Sequence, residues 1–185
     1  MKSRKKQTLI FGMMAGIGMI LIAIVLWQFL SEHQLKSYKN SEAGFSVDYP
    51  PDWSVAENSD GVAVIFKSPP ENDYDFFREN VNIVVQELPA SIQTIEKYTD
   101  QAIKQMKAVF EENLIILKSE PTFLSGQPAH LFEYLGKGPQ SEFQMMHVWT
   151  IKGKKAYQIN FTSLESKYNL YVDQVKKMIK SFRIQ

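Results

Sequence analysis

The 185-residue chain contains no cysteine. This absence excludes disulfide bonds, thiolate zinc sites, cysteine nucleophiles and a lipid anchor attached through cysteine. Excess charge is also absent, because 21 lysine and arginine residues nearly balance 20 acidic residues. A nucleic-acid-binding surface needs a concentrated positive footprint, and the sequence shows only short basic runs. We therefore expect no nucleic-acid partner.

The sequence signatures of common enzyme classes are missing as well. There is no G-x-S-x-G element, no P-loop and no dinucleotide-binding fingerprint. The single S-x-x-K, Ser3 to Lys6, lies in the basic N-terminal tail rather than in a folded segment. We therefore predict that the protein is not an enzyme.

What the chain does have is a long uncharged segment, from Thr8 to Leu30. As a helix it would be roughly 34 Å long at ~1.5 Å per residue, enough to cross a hydrocarbon core of ~30 Å. A cleaved signal peptide usually has a shorter apolar region followed by a small-x-small site, which is not found here, so an uncleaved signal anchor is favoured. The basic tail would stay in the cytoplasm, which places the rest of the chain outside it, in the cell envelope.

This interpretation divides the chain into four parts. We predict a cytoplasmic basic tail at 1–7, a single transmembrane helix at 8–30, a polar stalk at 31–42 and one extracytoplasmic domain at 43–185.

The domain has the patterns of strands and of two helices. Apolar residues alternate with polar ones from Phe45 to Tyr49, which is typical of a half-buried strand, and similar strand-length runs follow. Helical spacing of apolar residues recurs over 94–112 and 168–182. This order predicts an α+β fold with a largely antiparallel sheet. We also expect Trp53 and Trp149 to be buried.

Three motifs in this order resemble one known family. They are GFSVDYPPDW from Gly44 to Trp53, ENVNIVV from Glu79 to Val85, and IKSFRI from Ile179 to Ile184. Over about Tyr38 to Ile184 the chain resembles the C-terminal domain of the PsbP family, the extrinsic proteins of photosystem II. The resemblance implies an α-β-α sandwich, a fold shared with a Ran-binding nuclear import factor, and docking to proteins rather than catalysis. In a photosynthetic source it would imply a photosystem II-associated accessory protein.

Possible metal ligands are few. His130 and His147 fall in predicted strands and would form a zinc site only if the strand register brought them together with a carboxylate. Asp73 and Asp75 lie in an acidic loop that offers oxygen ligands to calcium but lacks the glycine and distal glutamate of an EF-hand. We expect no cofactor, with calcium or zinc at these residues as the alternative.

The loop from Ser68 to Glu79 carries three aromatic residues among turn formers and acids: Tyr74, Phe76 and Phe77. Aromatic residues in a polar loop are typical of a binding contact, so we predict that these three bind a partner. The alternative is that Phe76 and Phe77 tuck under the loop as a small satellite core.

The sequence thus favours a non-catalytic, membrane-anchored binding or assembly module that docks on another membrane or envelope protein. The alternative is an extracytoplasmic domain that binds or senses a small ligand or a metal.

Overall fold

The computed structural model describes residues 34–59, 61–92, 94–138 and 141–185. The transmembrane helix expected at 8–30 lies outside these residues. Within them, none of the helices combines the length and the apolar character needed to cross a bilayer. The folded unit runs from Lys36 to Gln185.

A small antiparallel sheet is built from both ends of the folded unit. Its strand order is β1-β2-β10, with β1 at Lys36–Asn40, β2 at Phe45–Tyr49 and β10 at Arg183–Ile184. The segment 31–42 was expected to be a stalk, yet residues 36–40 form a strand because they pair with β2 along its full length.

A seven-stranded antiparallel sheet forms the centre of the domain. Its strands are β3 Ser54–Ser59, β4 Val62–Lys67, β5 Asn80–Glu87, β6 Leu114–Leu124, β7 Gln127–Lys137, β8 Glu142–Lys152 and β9 Lys155–Leu164. They are arranged in the order β3-β4-β5-β9-β8-β7-β6. Because neighbouring strands are antiparallel, short turns suffice between many of them, as at Gly153 between β8 and β9, where φ is +63°.

Two helices cover the large sheet, α1 at Ile95–Phe110 and α2 at Tyr168–Ser181. They lie on opposite faces, since α2 packs in one core with Val148 and α1 packs in another with Trp149. Successive side chains of a strand point to opposite sides of a sheet, so these neighbours in β8 mark the two faces. The α+β fold and the sandwich that the resemblance implies are confirmed.

The core on the α2 side also joins the small sheet to the domain. Phe45 of β2 stacks on Phe182, which follows α2, with ring centroids 5.4 Å apart. The expectation that Trp53 and Trp149 are buried is confirmed, since they are 4% and 1% exposed. Trp53 packs on the α2 side and Trp149 on the α1 side.

Candidate docking surface

The loop between β4 and β5 has no regular secondary structure, as expected from its turn formers. Its two ends are joined by a backbone hydrogen bond, in which the Ser68 N–H donates to the Glu79 carbonyl over 2.8 Å. The Arg78 guanidinium donates to the Ser54 hydroxyl over 2.9 Å and to the carbonyls of Lys67 and Ser68. The base of the loop is therefore fixed to the sheet.

The acidic side chains of the loop fold its own backbone. The Asp75 carboxylate accepts hydrogen bonds from the Glu71 N–H over 3.1 Å and the Phe77 N–H over 3.3 Å. Asp73 is exposed to solvent. An aspartate that accepts bonds from nearby backbone N–H groups stabilises a turn.

The three aromatic residues of the loop have different environments. Tyr74 and Phe76 are 90% and 75% exposed. Phe77 instead packs edge-on against Phe143 of β8, with ring centroids 4.9 Å apart. The satellite-core alternative therefore describes Phe77 but not Phe76.

The loop is also tied to the start of α2. The Lys167 ammonium and the Glu71 carboxylate are 2.8 Å apart, and this hydrogen bond raises the lysine pKa. The loop is therefore attached to the segment that leads into this helix. We call Tyr74 and Phe76, the two exposed aromatic residues of the loop, the aromatic loop surface.

A buried acidic side chain lies at the base of the loop. Glu79 is fully buried, and among the described residues neither of its carboxylate oxygens has a hydrogen-bond partner. The hydroxyl of Ser68, whose backbone pairs with Glu79 across the loop base, is also buried and also has no hydrogen-bond partner among the described residues. Burial and the charges of Glu79 and Glu71 raise the pKa of Tyr171 nearby. Buried polar groups without partners cost stability, and such departures concentrate at functional sites.

The candidate metal ligands are not brought together. His130 stacks on Trp149 with centroids 5.4 Å apart, and its Nε2 lies 2.9 Å from the Ser119 hydroxyl. His147 is buried against Tyr134, and burial lowers its pKa to about 4, so it is neutral at physiological pH. In the part of the chain that the structure describes, no group of three or more histidine, aspartate or glutamate residues could hold a metal ion.

A groove that the sequence did not predict lies between α1 and the β6–β7 hairpin. Its volume is about 600 Å³, and it is largely apolar. Pattern reasoning missed it because its walls come from a helix and a hairpin that meet only through tertiary packing. The walls include Ile95, Thr99, Phe123, Ala129 and His130, with Glu96 and Asp100 at one side.

An antiparallel sheet enclosed by a helix on each face, with an exposed aromatic loop at one end, defines the class as an α+β sandwich domain. Within this class, the sequence pattern of the PsbP family matches residues 33–184. The chain belongs to the PsbP family. Comparison with curated proteins finds no match.

Solved structures show the same fold at low sequence identity. The cyanobacterial PsbP (CyanoP) of Synechocystis sp. PCC 6803 is similar with a TM-score of 0.62 and 18% identity, over 83% of this chain and 94% of that one. LpqN of Mycobacterium tuberculosis, involved in cell envelope biogenesis, gives 0.61 and 12%, over 82% and 91%. The Ran-binding protein Mog1p of Saccharomyces cerevisiae gives 0.58 and 9%, over 82% and 96%.

Proposed function

We propose that this protein is a non-catalytic, membrane-anchored docking module whose aromatic loop surface binds another membrane or envelope protein. The observation that carries the proposal is the exposure of Tyr74 and Phe76 on a loop whose base is fixed. Aromatic residues dominate the binding energy of many protein interfaces, and each is often worth ~2 kcal/mol or more.

The way in which the loop is held supports this role. Phe77 packs on the sheet and Glu71 pairs with Lys167, so the loop is attached on both sides of its exposed tip. A loop ordered before binding loses less conformational entropy when it meets a partner. The exposed aromatics are therefore presented in a defined arrangement.

The similar structures support docking in general terms. Mog1p is a Ran-binding protein and LpqN is involved in cell envelope biogenesis. We propose that this chain uses the same fold to bind a protein of the envelope. In a photosynthetic source, photosystem II would be the first partner to test.

The membrane anchor is part of the proposal. An uncharged segment at 8–30 that follows a basic tail would place the domain outside the cytoplasm. Alkaline phosphatase fused after Gln185 should then be active, and a reporter that works only in the cytoplasm should be silent. The reverse pattern would reject this orientation. A mature N-terminus near Ser31, found by mass spectrometry, would reject the anchor.

The docking surface is tested by capture of partners from solubilised membranes. We expect Phe76→Ser to lower capture more than tenfold, because an exposed aromatic contact of ~2 kcal/mol is lost. The melting temperature should not change, since the side chain is 75% exposed in the free protein.

Val109 of α1 provides the matched control, since it is apolar and 71% exposed but belongs to another element. Val109→Ser should capture the same partners as the wild type. Equal capture by Phe76→Ser and the wild type would remove the loop from the binding site.

The groove beside α1 supports a second candidate function, the binding of a small apolar ligand. Ligand sites are typically concave, mostly apolar and ~300 to 1,000 Å³ in volume, and this groove of about 600 Å³ fits that description. An apolar fluorescent probe should bind the wild type and lose affinity for Ile95→Glu, which places a charge at the α1 wall of the groove. Elemental analysis of the purified protein tests the calcium or zinc alternative.

A further inference from the structure

A second groove, at the C-terminal end of α2, combines positive charge with apolar surface. Its volume is about 530 Å³, and it lies between the helix and the turn that joins β6 to β7. Three cations line it, Lys176, Lys180 and Arg183, together with the apolar side chains of Phe123 and Ile179. We call it the basic groove.

The charge of this groove contrasts with that of the domain. Four of the 21 basic residues lie in the first six positions and one of the 20 acidic residues is Glu32, so residues 34–185 carry 17 basic against 19 acidic residues. Among the described residues, no carboxylate lies within salt-bridge distance of Lys180 or Arg183, while Lys176 pairs with Asp173 at 3.7 Å. Lys180 and Arg183 therefore bring two unpaired positive charges to the groove, on a domain that is negative overall.

Arg183 is held in place at this site. One of its guanidinium nitrogens, Nη1, donates to the carbonyls of Lys180 and Phe182, each over 2.8 Å. Its remaining nitrogens have no acceptor within the described part of the chain and are available to an anion. A guanidinium in a fixed position binds phosphate well because it presents several donors at once.

The apolar part of the groove indicates what kind of anion it fits. The negative C-terminal end of a helix attracts cations in its last turn, which accounts for Lys180 but not for Phe123 in the same groove. Phe123 is 74% exposed. An aromatic side chain next to cations suits the interface of an anionic membrane, where the ring enters the headgroup region and the cations meet phosphates. A free phosphate would use only the cations.

The small sheet extends the positive surface to the side where the chain enters the domain. Lys39 of β1 and Arg183 of β10 both pair with Ser46 of the central strand, and all three lie on the face opposite the buried Phe45. The strand that carries Lys39 is the first of the folded unit.

We propose that the basic groove binds the phosphate headgroup of an anionic phospholipid at a bilayer surface, with Phe123 inserted beside it. This site is distinct from the aromatic loop surface, since the loop pairs with Lys167 just before α2, whereas the groove lies at the other end of that helix. This inference rests on the proposed membrane location. The experiment below tests the groove and the membrane anchor separately.

The absence of native cysteine allows a single label to report on the groove. Phe123→Cys is introduced into the full chain and coupled to an apolar, environment-sensitive fluorophore. The protein is then mixed with vesicles of phosphatidylcholine alone or of phosphatidylcholine with phosphatidylglycerol. Leu170→Cys, labelled in the same way, is the control at the other end of α2.

We expect the label at position 123 to shift to the blue in the anionic vesicles only, and high salt to reverse the shift. The label at position 170 should not respond to the lipid charge. Adding Lys176→Gln and Lys180→Gln to the variant labelled at position 123 should weaken its affinity for the anionic vesicles roughly thirtyfold, because each lysine near an anionic surface is worth ~1 kcal/mol. Lys97→Gln with Lys104→Gln, which removes the same charge from exposed positions of α1, should leave it unchanged.

Sedimentation with the neutral vesicles reports separately on the anchor. A chain without a membrane anchor would not sediment with them, whereas a groove that binds no lipid would leave this sedimentation unchanged. The proposal is overturned if the label at 123 does not respond to lipid charge, or if both lysine pairs have equal effects. It is also overturned if soluble polyphosphate shifts the label as strongly as the anionic vesicles do, since the groove would then bind phosphate without lipid.

Discussion

The two faces of the seven-stranded sheet are covered in different ways. On the α2 face, helix, large sheet and small sheet share one core of 20 buried residues among those described, nearly all of them aliphatic or aromatic. On the α1 face the buried cluster has 7 members. Because burial of apolar area is the main source of stability, the α2 face contributes most of the free energy of unfolding.

Hydrogen bonds replace part of the missing apolar contact on the α1 face. The Tyr98 hydroxyl accepts hydrogen bonds from Gln86 over 2.7 Å and Gln158 over 2.5 Å, and the Trp149 indole N–H donates to the Thr99 hydroxyl over 2.9 Å. A buried hydrogen bond adds only ~1 kcal/mol net, less than a large apolar side chain. Helix α2 therefore belongs to the stable centre of the fold, whereas α1 is attached by fewer and more specific contacts.

The largest expected difference between the faces comes from a matched pair of methionines. Met178 of α2 is fully buried, so Met178→Ala should lower the free energy of unfolding by ~2 to 5 kcal/mol. Met106 of α1 is half-buried, and Met106→Ala should cost roughly 1 kcal/mol, since less contact is lost. Urea unfolding measures both. Equal losses would show that the two faces contribute equally.

A pH effect of intermediate size should come from the α1 face. Burial lowers the pKa of His147 from 6.5 to about 4 in the folded protein. Between these values the unfolded chain binds a proton that the folded chain does not, so stability falls as the pH is lowered from 6.5 to 4. The loss should be ~3 kcal/mol, because one pKa unit corresponds to ~1.4 kcal/mol.

The control for this effect is His147→Phe, which cannot be protonated. Its free energy of unfolding should decline less than that of the wild type over the same pH range, as measured by urea titrations. Parallel curves for the two proteins would mean that His147 titrates normally when folded.

The smallest of these effects concerns a single hydrogen bond under α1. Thr99→Val should cost ~1 to 3 kcal/mol, because it leaves the buried indole N–H of Trp149 without its acceptor. In a Trp149→Phe background the same substitution should cost much less, since no indole donor is present. A double-mutant cycle measures the coupling free energy between Thr99 and Trp149. Additive losses would show that this hydrogen bond does not contribute to stability.

Much of the fold could be predicted because local patterns carry it. Alternation from Phe45 to Tyr49 indicated β2, and helical spacing indicated both helices, since these periods follow from backbone geometry. The strand at 36–40 was missed because its residues are polar and it is held by pairing with β2 rather than by an apolar pattern. Pairing between distant segments leaves little trace in local sequence.

The candidate site was predictable only in part, for the same reason. The loop and its aromatics are visible in the sequence, but nothing local distinguishes Phe76 from Phe77. Only the position of Phe143, on a distant strand, decides which ring is covered. Both grooves likewise depend on how separate elements pack against each other, which local patterns do not show.

Docking through the aromatic loop surface can be tested by photo-crosslinking in living cells. A photoreactive phenylalanine analogue is placed in the full chain at position 76, or at position 109 as an equally exposed control on α1. We expect one discrete protein adduct from position 76 and none from position 109. No adduct at position 76, or the same adducts at both positions, would contradict it.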